Sequence, residues 1–371
     1  MPDRNARRRD DLARVVREQG VDALLVTSTT NVTYLTGFTG DASALLLAAA
    51  DGRALVVSDG RYDDQLAREC PDCERHIRPI GQPLIAGVAE VAGRLGPRAL
   101  ALEASAISKA DFDDLAETYD GALKPVRGLV EGLRMIKDDG EVALIREAID
   151  VAERAFERLR AGLRPEDSEK DVADRLEADL RRLGAAGSSF PPIVAAGANS
   201  ALPHYRGSAA TRLEGAGFVL VDWGASGAPL PYKSDLTRVL ATGKVTPKFE
   251  EVYRLVLAAQ ARGIAAIRPG ATGRQVDAEA RSAIAEAGFG DCFRHGLGHG
   301  LGLDIHEAPM LRAESATELR PGMVVTVEPG VYLPGWGGIR IEDDVLVTPD
   351  GAEVLTRTPR SLDEVPVIAR A

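Results

Sequence analysis

Four carboxylates stand where core strands ordinarily carry apolar side chains. In GMVVTVEPGVYLPGWGGIRIEDDVLV, residues 322–347, Glu328 ends one apolar β-type run and Glu342 opens another across a Gly/Pro-rich bend. In GFVLVDWGASGAPLPYKSDLTRVLATG, residues 217–243, Asp222 and Asp235 hold the corresponding places. The two spacings are thirteen and fourteen residues, so the chain reads as an internal duplication of one acidic hairpin. A buried, unpaired carboxylate loses several kcal/mol of hydration or more. Four of them facing one core must therefore be paired, protonated or bound to cations, and four negative charges balance two divalent ions.

The histidines add to this set. Of five in the chain, four (His204, His295, His299 and His306) fall in the portion that carries the acidic hairpins. A lone histidine is more often a satisfied polar side chain than a ligand, but clustering argues against that reading here. In FRHGLGHGLGLDIHE the glycines between His295 and His299 oppose a helix-borne zinc pair. They favour an extended segment whose backbone passes close to a ligand. One histidine is expected to bind metal, and the others to donate protons or contact substrate. Arg340, two residues before Glu342, shares its face of a strand, where it either stabilises that carboxylate or receives an anionic part of a substrate. Lys233 is its counterpart before Asp235, and the sequence assigns it no role.

These side chains need a scaffold, which the rest of the chain supplies. With 371 residues and 45% hydrophobic content, two domains are expected. The first, residues 1–130, alternates short apolar runs (ALLVT, SALLLAA, ALVVS) with helices near 7–20, 61–69, 84–95 and 108–118, an α/β pattern on a mixed sheet. The segments TNVTYLTGFTGDAS and SDGRYDDQ read as turns. From Glu131 to residue 371 the order helix, helix, strands, acidic hairpin occurs twice. Val142, Ile145, Ile149, Ala152, Phe156 and Leu159 mark the apolar face of the first long helix. The second round begins after Pro247 and breaks at Pro269-Gly270.

Composition narrows the partners. A net charge of −11 and a pI near 5.1 oppose nucleic acid and anionic membranes. The basic N-terminus lacks a signal-peptide apolar core, and no run approaches the ~20 apolar residues of a membrane span, so a soluble, cytoplasmic protein is expected. Three cysteines build no disulfide framework. Cys70-Pro-Asp-Cys73 with His76 is half of a zinc pattern lacking its second half, and is read instead as a surface turn.

SALPHY, VLVDWG, SDLTR, HGLGHGLGLDIHE, VEPGVY and IRIEDD, in this order, resemble the metal-dependent peptidases of the creatinase or "pita-bread" fold, family M24, over essentially the whole chain. The resemblance implies an α/β (α+β) fold with an N-terminal creatinase-like domain and a pseudo-twofold catalytic domain. It implies that Asp222 binds one metal ion, that Asp235 and Glu342 bridge two, and that His299 and Glu328 bind the second. His204, His295, His306 and Arg340 become the outer catalytic set. NVTYLTGFTG and DGRYDDQ resemble the shorter bacterial Xaa-Pro aminopeptidases more than the prolidases, which implies an Xaa-Pro aminopeptidase acting on peptides with proline second, with the Xaa-Pro dipeptidase (prolidase) as alternative. Homodimers are common in the family, and a homodimer is expected. An oxygen-rich donor set with one imidazole suits Mn²⁺, then Co²⁺ or Zn²⁺. A metal-free creatinase-like amidinohydrolase or a non-catalytic peptide-binding module would lack some of these ligands, and all five positions are filled.

Overall fold

The structure, a computed structural model, describes residues 2–362. The chain divides into two compact units between Arg134 and Met135. This lies a few residues beyond Glu131, because helix α6 (Leu129–Arg134) is tied into the first unit. There Asn31 Nδ2 donates to Glu131 at 2.8 Å, and Arg134 Nη1 donates to Asn31 Oδ1 at 2.7 Å.

The first unit contains α1 (Pro2–Glu18), α2 (Thr29–Thr36), α3 (Asp63–Glu69), α4 (Leu84–Leu95) and α5 (Lys109–Thr118). Its strands are β1 (Ala23–Val26), β2 (Ala44–Ala48), β3 (Ala54–Asp59), β4 (Glu74–Arg78), β5 (Ala99–Glu103) and β6 (Ala122–Val126). They form one mixed sheet of order β4-β3-β2-β1-β5-β6, in which β1-β2 and β2-β3 run antiparallel and the other neighbours parallel. The apolar runs of β1 to β3 are almost continuously buried, as expected of strands covered by helices.

Two expectations fail here. The Thr/Asn-rich stretch after β1 is the helix α2, not a turn. Its β-branched residues are poor helix formers. Ser28 nevertheless caps its start by accepting from Asn31 N, Gly37 at φ 80° ends it, and every residue from Asn31 to Thr36 is buried. Tertiary burial thus overrides propensity. The Cys70–Cys73 segment does turn, with Cys73 N bonded to Cys70 O at 3.1 Å, but both thiols point inward, Cys70 fully buried and Cys73 6% exposed. Burial pushes them up to about 12 and about 11, so neither is a thiolate at neutral pH.

The second unit repeats its architecture. Its first half holds α7 (Asp139–Gly162), α8 (Glu169–Arg182), β7 (Gly187–Ser188), β8 (Ile193–Ala196), β9 (Phe218–Trp223), β10 (Ala225–Ser226) and β11 (Leu236–Ala241). The second half holds α9 (Pro247–Ala266), α10 (Gly273–Glu286), β12 (Gly298–Gly300), β13 (Glu307–Leu311), β14 (Val324–Val327), β15 (Gly330–Leu333), β16 (Gly337–Arg340), β17 (Asp343–Thr348) and β18 (Gly351–Val354). Capping boxes start α7, α8 and α10, and Thr246 with Pro247 starts α9. Ile145, Ile149, Ala152, Phe156 and Leu159 of α7 are buried, with Phe156 stacked on Trp223 at 4.2 Å. Each helix pair closes its own core, α7 and α8 against β8-β9-β11, α9 and α10 against the strands of β13-β12-β14-β17-β18. The bend between Glu328 and Glu342 is more than a turn, since β15 and β16 pair within it.

Candidate metal centre

Each acidic residue sits at or next to a strand end. Asp222 lies near the end of β9, opposite Thr237, and Asp235 immediately precedes β11. Glu328 follows β14, and Glu342 precedes β17. The two halves join there: Glu342 bridges Thr237, its N–H donating to Thr237 O at 3.2 Å. Internal duplication thus brings the two acidic hairpins to one seam.

The same seam borders a cavity of 330 Å³ lined by Asp222, Asp235, His299, Glu328 and Glu342. His204, His295, His306 and Arg340 line it too, so every sequence-predicted site residue reaches one space. Lys233 does not; it is half-buried outside the lining, with Nζ 3.2 Å from Ser226 Oγ. His299 arrives on β12, between β13 and β14, where only glycine flanks would fit. A Cβ at Gly298 would stand 2.0 Å from Thr326 O, and one at Gly300 2.2 Å from Ala308 O.

Among the described residues, Asp235, His299 and Glu342 form one group whose donor atoms lie within 4.8 Å of one another. His299 Nε2 is 3.6 Å from Asp235 Oδ2 and 3.3 Å from Glu328 Oε1. Its Nδ1 faces Gly300 O at 3.0 Å, which assigns a proton to Nδ1 and turns Nε2 toward the carboxylates. Asp222 Oδ1 is buried and has no hydrogen-bond partner among the described residues. Burial first, then repulsion from the neighbouring carboxylates, drives Asp235 and Glu342 well above the carboxylate range, and burial also raises Asp222 against the pull of Arg340. Glu328 goes the other way, to about 2: burial opposes its charge, but the hydrogen bond and charge of His299, with the charges of His295 and Arg340, together outweigh burial. Three carboxyls crowded until they resist ionising, one orphaned oxygen and one imidazole nitrogen fit divalent cations, which would supply the missing positive charge.

Several residues to which the sequence alone gives no role complete the frame. Thr237 Oγ1 donates to Glu342 Oε2 at 2.6 Å and accepts from Arg340 Nε at 3.1 Å. Thr326 Oγ1 accepts from His299 N and donates to Glu328 Oε1, both at 3.1 Å. Arg340 also bonds Asp222 Oδ2 at 2.5 Å and Tyr332 OH at 2.8 Å. Tyr332 in turn lies 2.9 Å from His295 Nε2. Asp344, fully buried, accepts the N–H of Asp235 at 3.1 Å. Threonines within apolar β runs, VVTVE and SDLTR, were the available signal. On the open side, His306 packs edge-on to His299 at 4.4 Å, and Phe190, Ile193 and Met310 form an apolar wall.

Known proteins share this geometry's sequence and fold. Residues 143–349 match the model of metallopeptidase family M24, and residues 8–136 match that of the creatinase/prolidase N-terminal domain. An Xaa-Pro dipeptidase of Pyrococcus horikoshii is 34% identical over 347 residues, 93% of this chain and 95% of the relative. The structure of an Xaa-Pro dipeptidase from Bacillus anthracis superposes with a TM-score of 0.91 at 41% identity, covering 96% of this chain and 99% of that one. An X-Pro aminopeptidase from Thermotoga maritima gives 0.86 at 36% identity, covering 94% and 99%.

Proposed function

Because the chain belongs to the M24 family of metallopeptidases, we propose that it is a two-metal exopeptidase cleaving the bond that precedes proline, with Xaa-Pro dipeptides as preferred substrates. The observation that carries this reading is the convergence of four carboxylates, Asp222, Asp235 and Glu342 buried and Glu328 half-buried, and the His299 imidazole on one cavity with an apolar wall. Asp222, Asp235, His299, Glu328 and Glu342 are the residues that would hold the ions, with Asp235 and Glu342 placed centrally among them. The donor set suits Mn²⁺, Co²⁺ or Zn²⁺. When bound, the ions supply Lewis acidity and a water acidic enough to attack near neutral pH.

The protein's own groups do the rest. Glu328 relays a proton to the leaving imino nitrogen of proline. His204 and His306, at the open side, donate to the developing oxyanion. Phe190, Ile193 and Met310 take the pyrrolidine ring and exclude water from it. The N-terminal motifs alone favour an aminopeptidase, but the names of similar chains favour the dipeptidase, and so does Arg312. This second cation of the cavity is 57% exposed in its side chain, with Glu314 3.8 Å away, and can receive the free carboxylate of a dipeptide.

Kinetics of Ala-Pro against Ala-Pro-Ala, with metal analysis before and after chelation, test the reading. The dipeptide is expected to win, activity to vanish on chelation and to return with Mn²⁺, Co²⁺ or Zn²⁺. A preference for the tripeptide would make the chain an aminopeptidase, and no Xaa-Pro cleavage with any of the three metals would end the peptidase assignment. His306→Ala is expected to keep its metal and lose about 10²- to 10⁴-fold in kcat. Loss of bound metal in that variant would move His306 into the ligand set.

A further inference from the structure

We infer that the buried pair Lys137–Glu307 is a positioning device that aims His306 into the cavity. His306 ends the segment 301–306, LGLDIH, which links β12 to β13. Glu307 is the next residue, and its carboxylate folds back beneath this segment. Oε1 accepts the N–H of Asp304 at 3.1 Å, closing a loop that contains His306. Oε2 lies 3.1 Å from Lys137 Nζ, with side-chain exposures of 7% for Glu307 and 1% for Lys137.

Two glycines make room for the device. A Cβ at Gly302 would stand 2.6 and 2.7 Å from the two Glu307 oxygens, so the carboxylate occupies the space of an absent side chain. Lys137 is itself anchored, its N–H donating to Gly322 O at 2.8 Å, and a Cβ at Gly322 would lie 2.8 Å from Lys137 O. Gly322 begins the run that ends at Glu328. The segment carrying His306 is thereby tied to the base of the strand that delivers Glu328. Backbone bonds hold its other end, Lys233 N to Gly302 O at 2.9 Å and Leu301 N to Val324 O at 3.1 Å.

Stability alone is a poor reason for this pair. Desolvating two charges offsets most of their attraction, and an apolar pair of equal volume would serve as well. An apolar pair could not, however, accept the Asp304 N–H. The carboxylate fixes the path of the backbone, which favours a positioning role over a merely cohesive one.

The catalytic part of the inference rests on the peptidase reading; the placement of the segment does not. Two measurements therefore separate them. In kinetics, Glu307→Ala is expected to lower kcat about ten- to a hundredfold, with KM and metal content unchanged. Gly302→Ala, which keeps Glu307 but displaces its carboxylate, should reproduce the loss and covers the case that Glu307→Ala folds poorly. In a His306→Ala background, Glu307→Ala should cost nothing further, because its effect passes through a side chain already removed. Multiplying losses, or wild-type kcat in both variants, would overturn the inference. The second measurement uses metal-free protein carrying ¹³C-labelled histidine, whose five imidazoles are resolvable and whose His306 signal is identified by its absence in His306→Ala. Glu307→Ala and Gly302→Ala are expected to shift or broaden that signal and leave His76 unmoved. An unperturbed His306 signal sinks the inference even if the chain cleaves no peptide, and a perturbed one supports the placement independently of activity.

Discussion

Asp235→Asn and Glu342→Ala are each expected to abolish hydrolysis and to release at least one divalent ion per chain. Several kcal/mol of Lewis-acid stabilisation depend on those ions, which corresponds to a loss of about a thousandfold or more in kcat. The same substitutions should leave the metal-free fold as stable as the parent or more so. Asp235 and Glu342 are buried beside like charges, and burial together with that repulsion holds both well above the carboxylate range. Removing one acid relieves the crowding, and the Asp235→Asn variant keeps the backbone N–H that Asp344 accepts. Calorimetry with and without Mn²⁺ checks both halves. The parent should gain melting temperature on adding metal and the variants should not, because a ligand that binds only the folded chain stabilises it in proportion to its affinity. Parent-like metal content in both variants would remove the bridging roles.

Much of this site was legible because its residues break local rules. A carboxylate closing an apolar β run, as Glu328 closes MVVTV, conflicts with the pattern around it, and such conflicts concentrate at functional positions. The duplication was visible for the same reason, since Asp222 and Asp235 break the rule again at nearly the same spacing. The apolar face of α7 followed from helical periodicity, and Ile145 to Leu159 are buried accordingly.

What stayed hidden depends on contacts distant in sequence. Lys137 meets Glu307 across 170 residues, and no local pattern announces that partnership. Tyr332 is tied to Arg340 and His295, partners that no local pattern around it announces. Helix α2 was lost because its threonines argue locally for a turn, whereas its burial from Asn31 to Thr36 is a tertiary fact. The inward thiols of Cys70 and Cys73 belong to the same class, since the turn between them was readable and its orientation was not.

Arg238→Met is expected to destabilise the fold by about 3–5 kcal/mol, the cost of leaving several buried carbonyl acceptors without a donor at ~1–3 kcal/mol each. Arg238, 2% exposed, sits on β11 between the two halves of the second unit. Its Nη2 meets Asp343 Oδ1 at 2.7 Å and Thr358 O at 2.6 Å, its Nε donates to Pro359 O at 3.0 Å, and its Nη1 reaches Glu342 O at 2.6 Å. Asp343 would not be stranded by the loss, because Gln260, Arg360 and Thr356 also serve its carboxylate. The carbonyls of Glu342 and Thr358 accept from the guanidinium itself, so the fork of donors matters more than the charge. Arg238→Lys decides between the two. A lysine restores the charge but cannot span these acceptors with a planar fork, so it should unfold in urea nearly as early as the methionine variant. Its metal affinity should also fall about ten- to a hundredfold, because the backbone that aims Glu342 is released. A lysine variant with parent-like stability and metal affinity would mean that charge alone holds the seam, and that the Glu342 backbone is fixed by its bridge to Thr237.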